Sequence, residues 1–138
     1  MTIEVRYRTI NDNTINEAVV HLDPADRDEL LRILTTEALF GAVLHHRESS
    51  TDTVEAPDHE LIVGFHGDLG ALYYTDEFGS WYTLGPTPED DGPVYAEVDF
   101  PRYSELPAAD VTQAITQFID SDGQRPNCVT WQDDPYAT

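Results

Sequence analysis

Residues 60–84, ELIVGFHGDLGALYYTDEFGSWYTL, contain three runs of strand-forming residues separated by two short turn signals. The runs cover residues 60–66, 71–75 and 80–84, and the segments between them hold the glycines and aspartates typical of hairpin turns. Turns this short join strands that are antiparallel neighbours. The stretch therefore predicts a meander of three consecutive antiparallel strands.

Further strands are predicted on both sides of this meander. Near the N-terminus, Ile3, Val5 and Tyr7 alternate with charged residues, which predicts a half-buried strand over residues 2–9. A turn at 11–13 and an extended segment over 16–22 follow. The remaining predicted strands are 42–47, 94–100 and a short last strand, 128–131, with Val129 and Trp131 on one face.

Two helices are predicted from capping signals and apolar spacing. Asp23 is a favourable N-cap before Pro24, and the apolar pattern continues to Phe40, with Gly41 placed to end the helix. The second helix begins at Pro107 and ends near Gly123. Its apolar residues follow the helical template position by position: Val111, Ala114, Ile115, Phe118 and Ile119.

These elements predict an α+β fold, a mostly antiparallel sheet of about six or seven strands with two principal helices. The length of 138 residues is near the commonest size of one domain, so we expect a single domain over 1–138. The segment 85–93 holds three prolines and three consecutive carboxylates, which predicts an exposed loop. We expect the polar tail after about residue 132 to be flexible.

The charge balance of the chain is strongly acidic. Twenty-seven Asp and Glu residues stand against seven basic residues, all of them arginine, which gives a net charge of −20. Such a surface repels nucleic-acid phosphates and anionic lipid, and it speeds the encounter with a cationic protein. We therefore expect neither nucleic acid nor a membrane as a direct partner. Solvation or salt adaptation explains the charge equally well at this point.

The histidines do not form a recognisable metal site. His45 and His46 are adjacent on a predicted strand, so their side chains point to opposite faces and cannot chelate one ion as a pair. His21, His59 and His66 are scattered and lack zinc-binding spacing. We interpret them as structural or surface residues and expect no metal and no cofactor.

The other chemistry-bearing residues also favour a protein without catalysis. Cys128 is the only cysteine, which excludes an intrachain disulfide and favours a reducing compartment. Its place in a predicted apolar strand predicts a buried, inert thiol with a raised pKa. The sequence has no Gly-x-Ser-x-Gly nucleophile motif, and the glycines of 64–70 are not followed by the residues of a phosphate loop. We expect no catalytic residue.

Acidic residues lie beside aromatic ones in three neighbouring segments, 73–82, 89–91 and 95–99. Tyr and Trp supply rigid contact area at protein interfaces, and flanking carboxylates steer a basic partner. Alternation along a strand also buries half of its aromatic residues, so filling of the sheet core explains them as well. Both interpretations remain open here.

The same region resembles a known family. The residues that carry the resemblance are Leu69–Tyr74, Trp81–Gly85, Val94–Pro101, the helix start at Leu106-Pro107, and Arg125–Trp131. In order and spacing they are similar to immunity protein family one over about residues 60–132. The opening strand, the first helix and residues 45–48 add support.

The resemblance implies a non-enzymatic bacterial protein encoded beside a polymorphic toxin, many of which carry a nucleic-acid cytidine deaminase domain. It implies a heterodimer in which this chain inhibits a basic cognate toxin by occluding its active site or substrate groove. Acidic residues would take the place of nucleic-acid phosphates there. The toxin-binding residues that we predict are Asp76, Glu77, Trp81, Tyr82, Glu89, Asp90, Asp91 and Glu97.

Two other hypotheses stay open from the sequence. One is a small hydrolase or isomerase that uses His66 with a nearby carboxylate, and the other is a non-enzymatic acidic adaptor of a salt-adapted organism. No apolar run approaches the roughly 18 residues of a membrane span, so we expect a cytoplasmic protein, monomeric before its partner binds. The toxin could act on double-stranded DNA, single-stranded DNA, RNA or by another chemistry.

Overall fold

A computed structural model describes residues 2–38, 41–47, 59–76, 78–86, 93–96, 98–121 and 123–135. The strands are β1 (Thr2–Asn11), β2 (Thr14–Leu22), β3 (Ala42–Arg47), β4 (His59–His66), β5 (Leu69–Asp76), β6 (Gly79–Thr83), β7 (Val94–Tyr95), β8 (Val98–Asp99), β9 (Leu106–Pro107) and β10 (Trp131–Asp133). The helices are α1 (Arg27–Thr36) and α2 (Ala108–Asp120), with a 3₁₀ turn at Pro24–Asp26 before α1.

Eight of these strands form one antiparallel sheet. Its order is β10-β6-β5-β4-β3-β1-β2, and β9 pairs with the beginning of β5. The predicted meander is β4-β5-β6, in which His66 pairs with Leu69 and Asp76 with Gly79. Gly67 and Asp68 form the first turn, and Phe78 belongs to the second. The α+β class with a mostly antiparallel sheet is confirmed.

Both helices pack on one face of the sheet, which we call the inner face. Alternate residues of β1, Ile3, Val5 and Tyr7, point to it. The predicted apolar stripe of α2 is buried against this face, and its five residues are between 0% and 2% exposed. Burial of this stripe removes apolar surface from water and holds the helix on the sheet.

A second, smaller core lies on the opposite face of the sheet, which we call the outer face. Its buried residues are Ile62, Ala71, Tyr82, Tyr95 and Phe100. The last two come from the segment that carries β7 and β8, which form their own two-stranded hairpin. The middle of the outer face is therefore covered by this hairpin rather than by a helix.

The prediction of the first helix was too long. The chain forms a 3₁₀ turn at Pro24–Asp26, and the α-helix ends at Thr36 rather than at Phe40. The Asp23 backbone N–H donates to Oδ2 of Asp26 at 3.3 Å, so Asp23 is the N-cap of the 3₁₀ turn, whereas the α-helix itself begins at Arg27 rather than at Pro24. Ala38 is also buried in the core, although the helix has ended before it. The apolar spacing therefore continues beyond Thr36 and made the predicted helix too long.

Two strand predictions were also wrong in their bounds. Residues 94–100 form two short strands with Ala96 at a φ of 50°, so the chain turns back instead of continuing. The last strand begins at Trp131, and Cys128 lies before it in an exposed bend. Cys128 is therefore not the buried strand residue that the sequence predicted, although partial desolvation does raise the pKa of its thiol.

The middle of the predicted loop and the end of the predicted tail lie outside the described residues. Residues 87–92 of the proposed loop and residues 136–138 are among them, while Asp133 belongs to β10. In the part of the chain that the structure describes, no helix is long and apolar enough to cross a membrane.

Candidate functional site

A row of alternating histidines and glutamates crosses the outer face over β2, β1, β3 and β4. Strand register places His21 opposite Glu4, Glu4 opposite His45, and His45 opposite Glu60. Since directly opposed residues of antiparallel strands lie about 5 Å apart, their side chains interact along the row. Polar side chains thus form one connected band on this face.

Glu4 is the buried centre of this band. Its side chain is 7% exposed and lies 2.7 Å from Nε of Arg6, 3.3 Å from Nε2 of His21 and 3.5 Å from Nδ1 of His45. A buried carboxylate is costly without such partners, and hydrogen bonds to a charged guanidinium are among the stronger ones. Glu4 therefore holds Arg6 in one position on the outer face.

His45 is held in the same band by hydrogen bonds to carboxylates. Its Nε2 lies 2.6 Å from Oε2 of Glu60. This hydrogen bond, and then the negative charges of Glu60 and Glu4, raise the pKa of His45 above its ordinary value of 6.5, although burial opposes the shift. Protonation of His45 consequently stabilises the band.

A cavity of about 510 Å³ lies next to this band, between the β1–β2 hairpin and the β7–β8 hairpin. Apolar residues line much of it, and three charged residues share it. The lining residues are Arg6, Tyr7, Arg8, Ile15, Glu17, Gly41, Val43, Val94 and Ala96. Its volume is within the range of ordinary ligand sites, and its mixed lining can receive an apolar group that carries a polar end.

Exposed apolar side chains cluster at the same place. Ile15 is 61% exposed and Val94 is 58% exposed, and both line the cavity. Val19, 42% exposed, is the cross-strand partner of Arg6. Single exposed apolar residues are common, but a group of them around a cavity is typical of a binding surface.

The structure separates the two aromatic residues that we predicted for the site. Tyr82 is 3% exposed on the outer face, stacked on Tyr73 with ring centroids 4.4 Å apart and packed edge-on against Phe100 at 5.0 Å. Trp81 points to the inner face, where its ring lies 4.2 Å from the guanidinium carbon of Arg125. Tyr82 is therefore a core residue of the free protein.

The acidic residues predicted for the site are mostly outside the described residues. Asp76 is described, and its Oδ1 accepts a hydrogen bond from the Phe78 backbone N–H at 2.8 Å, which shapes the β5–β6 turn. The others lie outside the described residues: Glu77, Glu89, Asp90, Asp91 and Glu97. Asp76 and the cavity residues are on different elements of the sheet.

Histidine chemistry finds little support in the described part of the chain. His66 is exposed at the end of β4, and no described carboxylate forms a hydrogen bond with it. No group of three or more His, Cys, Asp or Glu side chains among the described residues is arranged to hold a metal ion. The band of His21, Glu4, His45 and Glu60 was not predicted, since its members come from four strands whose register the sequence does not specify.

Comparison with known proteins gives the class of this chain. A family model described as immunity protein Imm1 matches residues 17–133, most of the chain. This chain belongs to the Imm1 family. It is therefore an immunity protein whose partner is a cognate toxin. No curated protein matches the sequence. The matched residues include Val43 and Val94 of the cavity, whereas Arg6, Arg8 and Ile15 precede them.

Proposed function

We propose that this immunity protein neutralises a toxin that is a nucleic-acid cytidine deaminase, by binding over its active site or substrate groove. The observation that carries the proposal is the net charge of −20, with no lysine among the seven basic residues. An enzyme that acts on DNA or RNA needs a cationic surface for phosphates. A strongly acidic protein can compete for that surface.

The proposed contacts on the acidic side are the turn and loop carboxylates. They are Asp76, Glu77, Glu89, Asp90, Asp91 and Glu97. Carboxylates at the rim of an interface increase the association rate with a basic partner more than they increase the final affinity. Trp81 remains a proposed contact, and Tyr82 would support the surface from within the outer-face core.

The proposed state is a cytoplasmic heterodimer with the toxin, formed without catalysis or cofactor. Immunity must be tight, because a small free fraction of toxin is harmful. A dissociation constant near nanomolar corresponds to about −12 kcal/mol of binding free energy. Association should slow as ionic strength rises, because salt screens the attraction between an acidic protein and a basic one.

The decisive experiment uses the toxin domain encoded beside this gene. Purified toxin would be assayed for cytidine deamination on single-stranded DNA, double-stranded DNA and RNA, with increasing amounts of the immunity protein. We expect activity on one of these substrates and its loss at an equimolar ratio. Cells that express both proteins should survive, and cells that express the toxin alone should not.

A single substitution tests the hypothesis that the protein is a hydrolase or isomerase that uses His66. His66→Ala changes an exposed residue at the end of β4 and should leave protection intact. A toxin that binds this protein but shows no deaminase activity would overturn the deaminase proposal while leaving the immunity function. Absence of binding to the encoded toxin would overturn both.

A further inference from the structure

We propose that the open edge of β2 binds an extended segment of the toxin as an additional strand of the sheet. The proposal rests on toxin binding as the function and adds the surface and the mode of contact. β2 is nine residues long and lies at one end of the strand order. Among the described residues, no strand pairs with its other side. β10, at the opposite end, has only three residues, so β2 offers a partner the longer edge.

The geometry of the β1–β2 hairpin shows which backbone groups face the open edge. Asp12 and Asn13 form its two-residue turn, and both have a positive φ, 51° and 63°. In such a hairpin the pair next to the turn, Asn11 and Thr14, is hydrogen-bonded, and the following pairs alternate. The N–H and C=O groups that point away from β1 therefore belong to Ile15, Glu17, Val19 and His21. A further strand can bond to these groups without any change in β1.

β2 lacks the devices by which proteins usually protect a sheet edge. Its sequence, TINEAVVHL, contains no lysine and no proline. Its register with β1 continues from Leu22 to Thr14 without a bulge. Its one acidic residue, Glu17, is paired with Arg6 at 3.3 Å, so the charge is compensated. A long, regular edge of this kind is a template for strand pairing.

Apolar residues occur on both faces of β2 and stay partly exposed. Ala18, Val20 and Leu22 pack against the core of the inner face without being fully buried. Ile15 and Val19, on the outer face, are 61% and 42% exposed. An added strand would place its own side chains beside these residues on both faces. Binding would thus remove apolar surface from water as well as form backbone hydrogen bonds.

The charges around the edge indicate the composition of the incoming segment. Exposed carboxylates lie beyond both ends of β2, Asp12 in the turn and Asp23 and Asp26 after Leu22. Opposite charges on neighbouring strands attract, and they also fix the register of a partner. We therefore expect apolar, mainly β-branched residues in the middle of the toxin segment, with Arg or Lys at its ends.

The open edge is continuous with the outer-face cavity. Ile15 and Glu17 line this cavity together with Val94 of the β7–β8 hairpin. Outward side chains of an added strand would therefore lie beside the cavity wall that β2 forms. Val94 also follows shortly after the predicted acidic contacts 89–91 in the sequence. The strand contact and those loop contacts can thus belong to one interface with the toxin.

A second copy of the chain is the less favoured occupant of the edge. In an antiparallel pair of two β2 strands, the Asp12 end of one copy would lie beside the Asp23 end of the other, where like charges repel. The net charge of −20 on each molecule adds to this repulsion. The occupant we choose is therefore the toxin, and self-association is an outcome of the test.

Hydrogen exchange followed by NMR tests the strand pairing residue by residue. The samples are the free protein and its complex with the encoded toxin domain, inactivated in its catalytic site. In the free protein the amides of Glu17 and Val19 should exchange faster than those of Ala18 and Val20, which bond to β1. Toxin binding should slow exchange at Glu17 and Val19 by about tenfold or more and remove this alternation. A contact made by side chains alone would leave the alternation in place.

Two substitutions at Val19 separate backbone pairing from side-chain contact. Val19→Pro removes an N–H that points to the open edge, and proline is tolerated at such positions. The matched control, Val19→Thr, keeps the N–H and the branched shape. In surface plasmon resonance we expect Val19→Pro to lower toxin affinity by about tenfold or more and Val19→Thr by less than about threefold. Urea denaturation checks that both variants are folded, and if Val19→Pro is not, the exchange measurement decides alone.

Three results would overturn the strand pairing while leaving the immunity function in place. The first is unchanged exchange at Glu17 and Val19 on toxin binding, or equal toxin affinity of the two folded Val19 variants. The second is protection of these amides already in the free monomer, which would mean that the chain covers its own edge. The third is a dimer in analytical ultracentrifugation that Val19→Pro abolishes without any change in toxin affinity. Failure of the wild-type protein to bind the toxin would instead overturn the function on which the proposal rests.

Discussion

The ring of Tyr95 lies directly against the backbone of Gly64. A Cβ added to Gly64 would stand 1.9 Å from Cγ of Tyr95, which is far inside van der Waals contact. Tyr95 belongs to β7 and Gly64 to β4, so this contact seats the β7–β8 hairpin on the outer face. Gly41 makes a second close approach, since a Cβ there would lie 2.8 Å from the backbone N of Ala96. The wall of the cavity depends on both.

Gly64→Ala should destabilise the protein because the added methyl group displaces the Tyr95 ring. Overpacking of this kind costs about 1–3 kcal/mol in the free energy of unfolding, measured by urea denaturation. Gly67→Asn is the matched control, because a Cβ at Gly67 meets nothing within 4 Å and Asn tolerates its φ of 61°. In a Tyr95→Ala background the cost of Gly64→Ala should shrink, and an undiminished cost would contradict the contact.

Glu4→Gln should destabilise the outer-face band, because it removes the charge that Arg6, His21 and His45 share. Loss of charge-assisted hydrogen bonds at a buried site costs about 1–3 kcal/mol. Glu29→Gln removes a carboxylate that pairs with Arg32 on the exposed surface of α1, where solvent screens the pair, so it should cost clearly less stability than Glu4→Gln. Equal effects of the two variants in urea denaturation would show that Glu4 has no special role.

The stability contributed by His45 should depend on pH. Its pKa is raised in the folded protein, chiefly by the hydrogen bond to Glu60, so protonation favours folding. The contribution of His45 to stability is fully present below pH 6.5, the pKa of a histidine in the unfolded chain, and it is lost as pH rises through the higher pKa of the folded state. We therefore expect His45→Gln to lower the free energy of unfolding more at pH 5.5 than at pH 8.5.

The control for this pH dependence is His66→Gln, which changes an exposed histidine. The His45→Gln and His66→Gln variants carry the same large excess of carboxylates. Protonation of these carboxylates at low pH reduces charge repulsion equally in both variants, so this effect cancels in the comparison. A loss of stability by His45→Gln that is the same at both pH values would contradict the proposed role of the Glu60 bond.

Arg125→Met should change the environment of Trp81, because the guanidinium lies over the indole ring at 4.2 Å. Cation–π contacts at exposed sites contribute about 0.5–1 kcal/mol. Tryptophan fluorescence, measured in a Trp131→Phe background, should shift in Arg125→Met. Arg102→Met is the control, since its guanidinium lies 5.8 Å from the Tyr103 ring on a different segment. An unchanged spectrum in Arg125→Met would contradict the contact.

Neutralising the predicted acidic contacts should slow toxin binding. A variant with Glu89→Gln, Asp90→Asn and Asp91→Asn should lower the association rate by about tenfold at low salt and much less at high salt. The matched control neutralises Asp28 and Glu29 at the start of α1, together with Asp26. If both triple variants slow association equally, net charge rather than the predicted loop steers the toxin.

Much of the local structure follows from short-range patterns. Alternation predicted β1, β3 and the meander, and turn residues predicted the hairpins of β4 to β6. The apolar stripe of α2 is the one the spacing indicated. These signals are readable because the residues that create them are neighbours in the chain. The ordered motifs along residues 60–132 also carried the resemblance to the family, which the match over residues 17–133 confirms.

The candidate site depends on contacts between residues that are distant in the sequence. Arg6 and Val94 line the same cavity. The strand order places β1 beside β3, and the chain turns at Ala96, so that the β7–β8 hairpin lies over the sheet next to β1 and β3. The burial of Tyr82 follows from the same hairpin, since Phe100 covers it. Periodicity states that alternate side chains share a face, but which face is covered, and by which segment, is set by long-range packing.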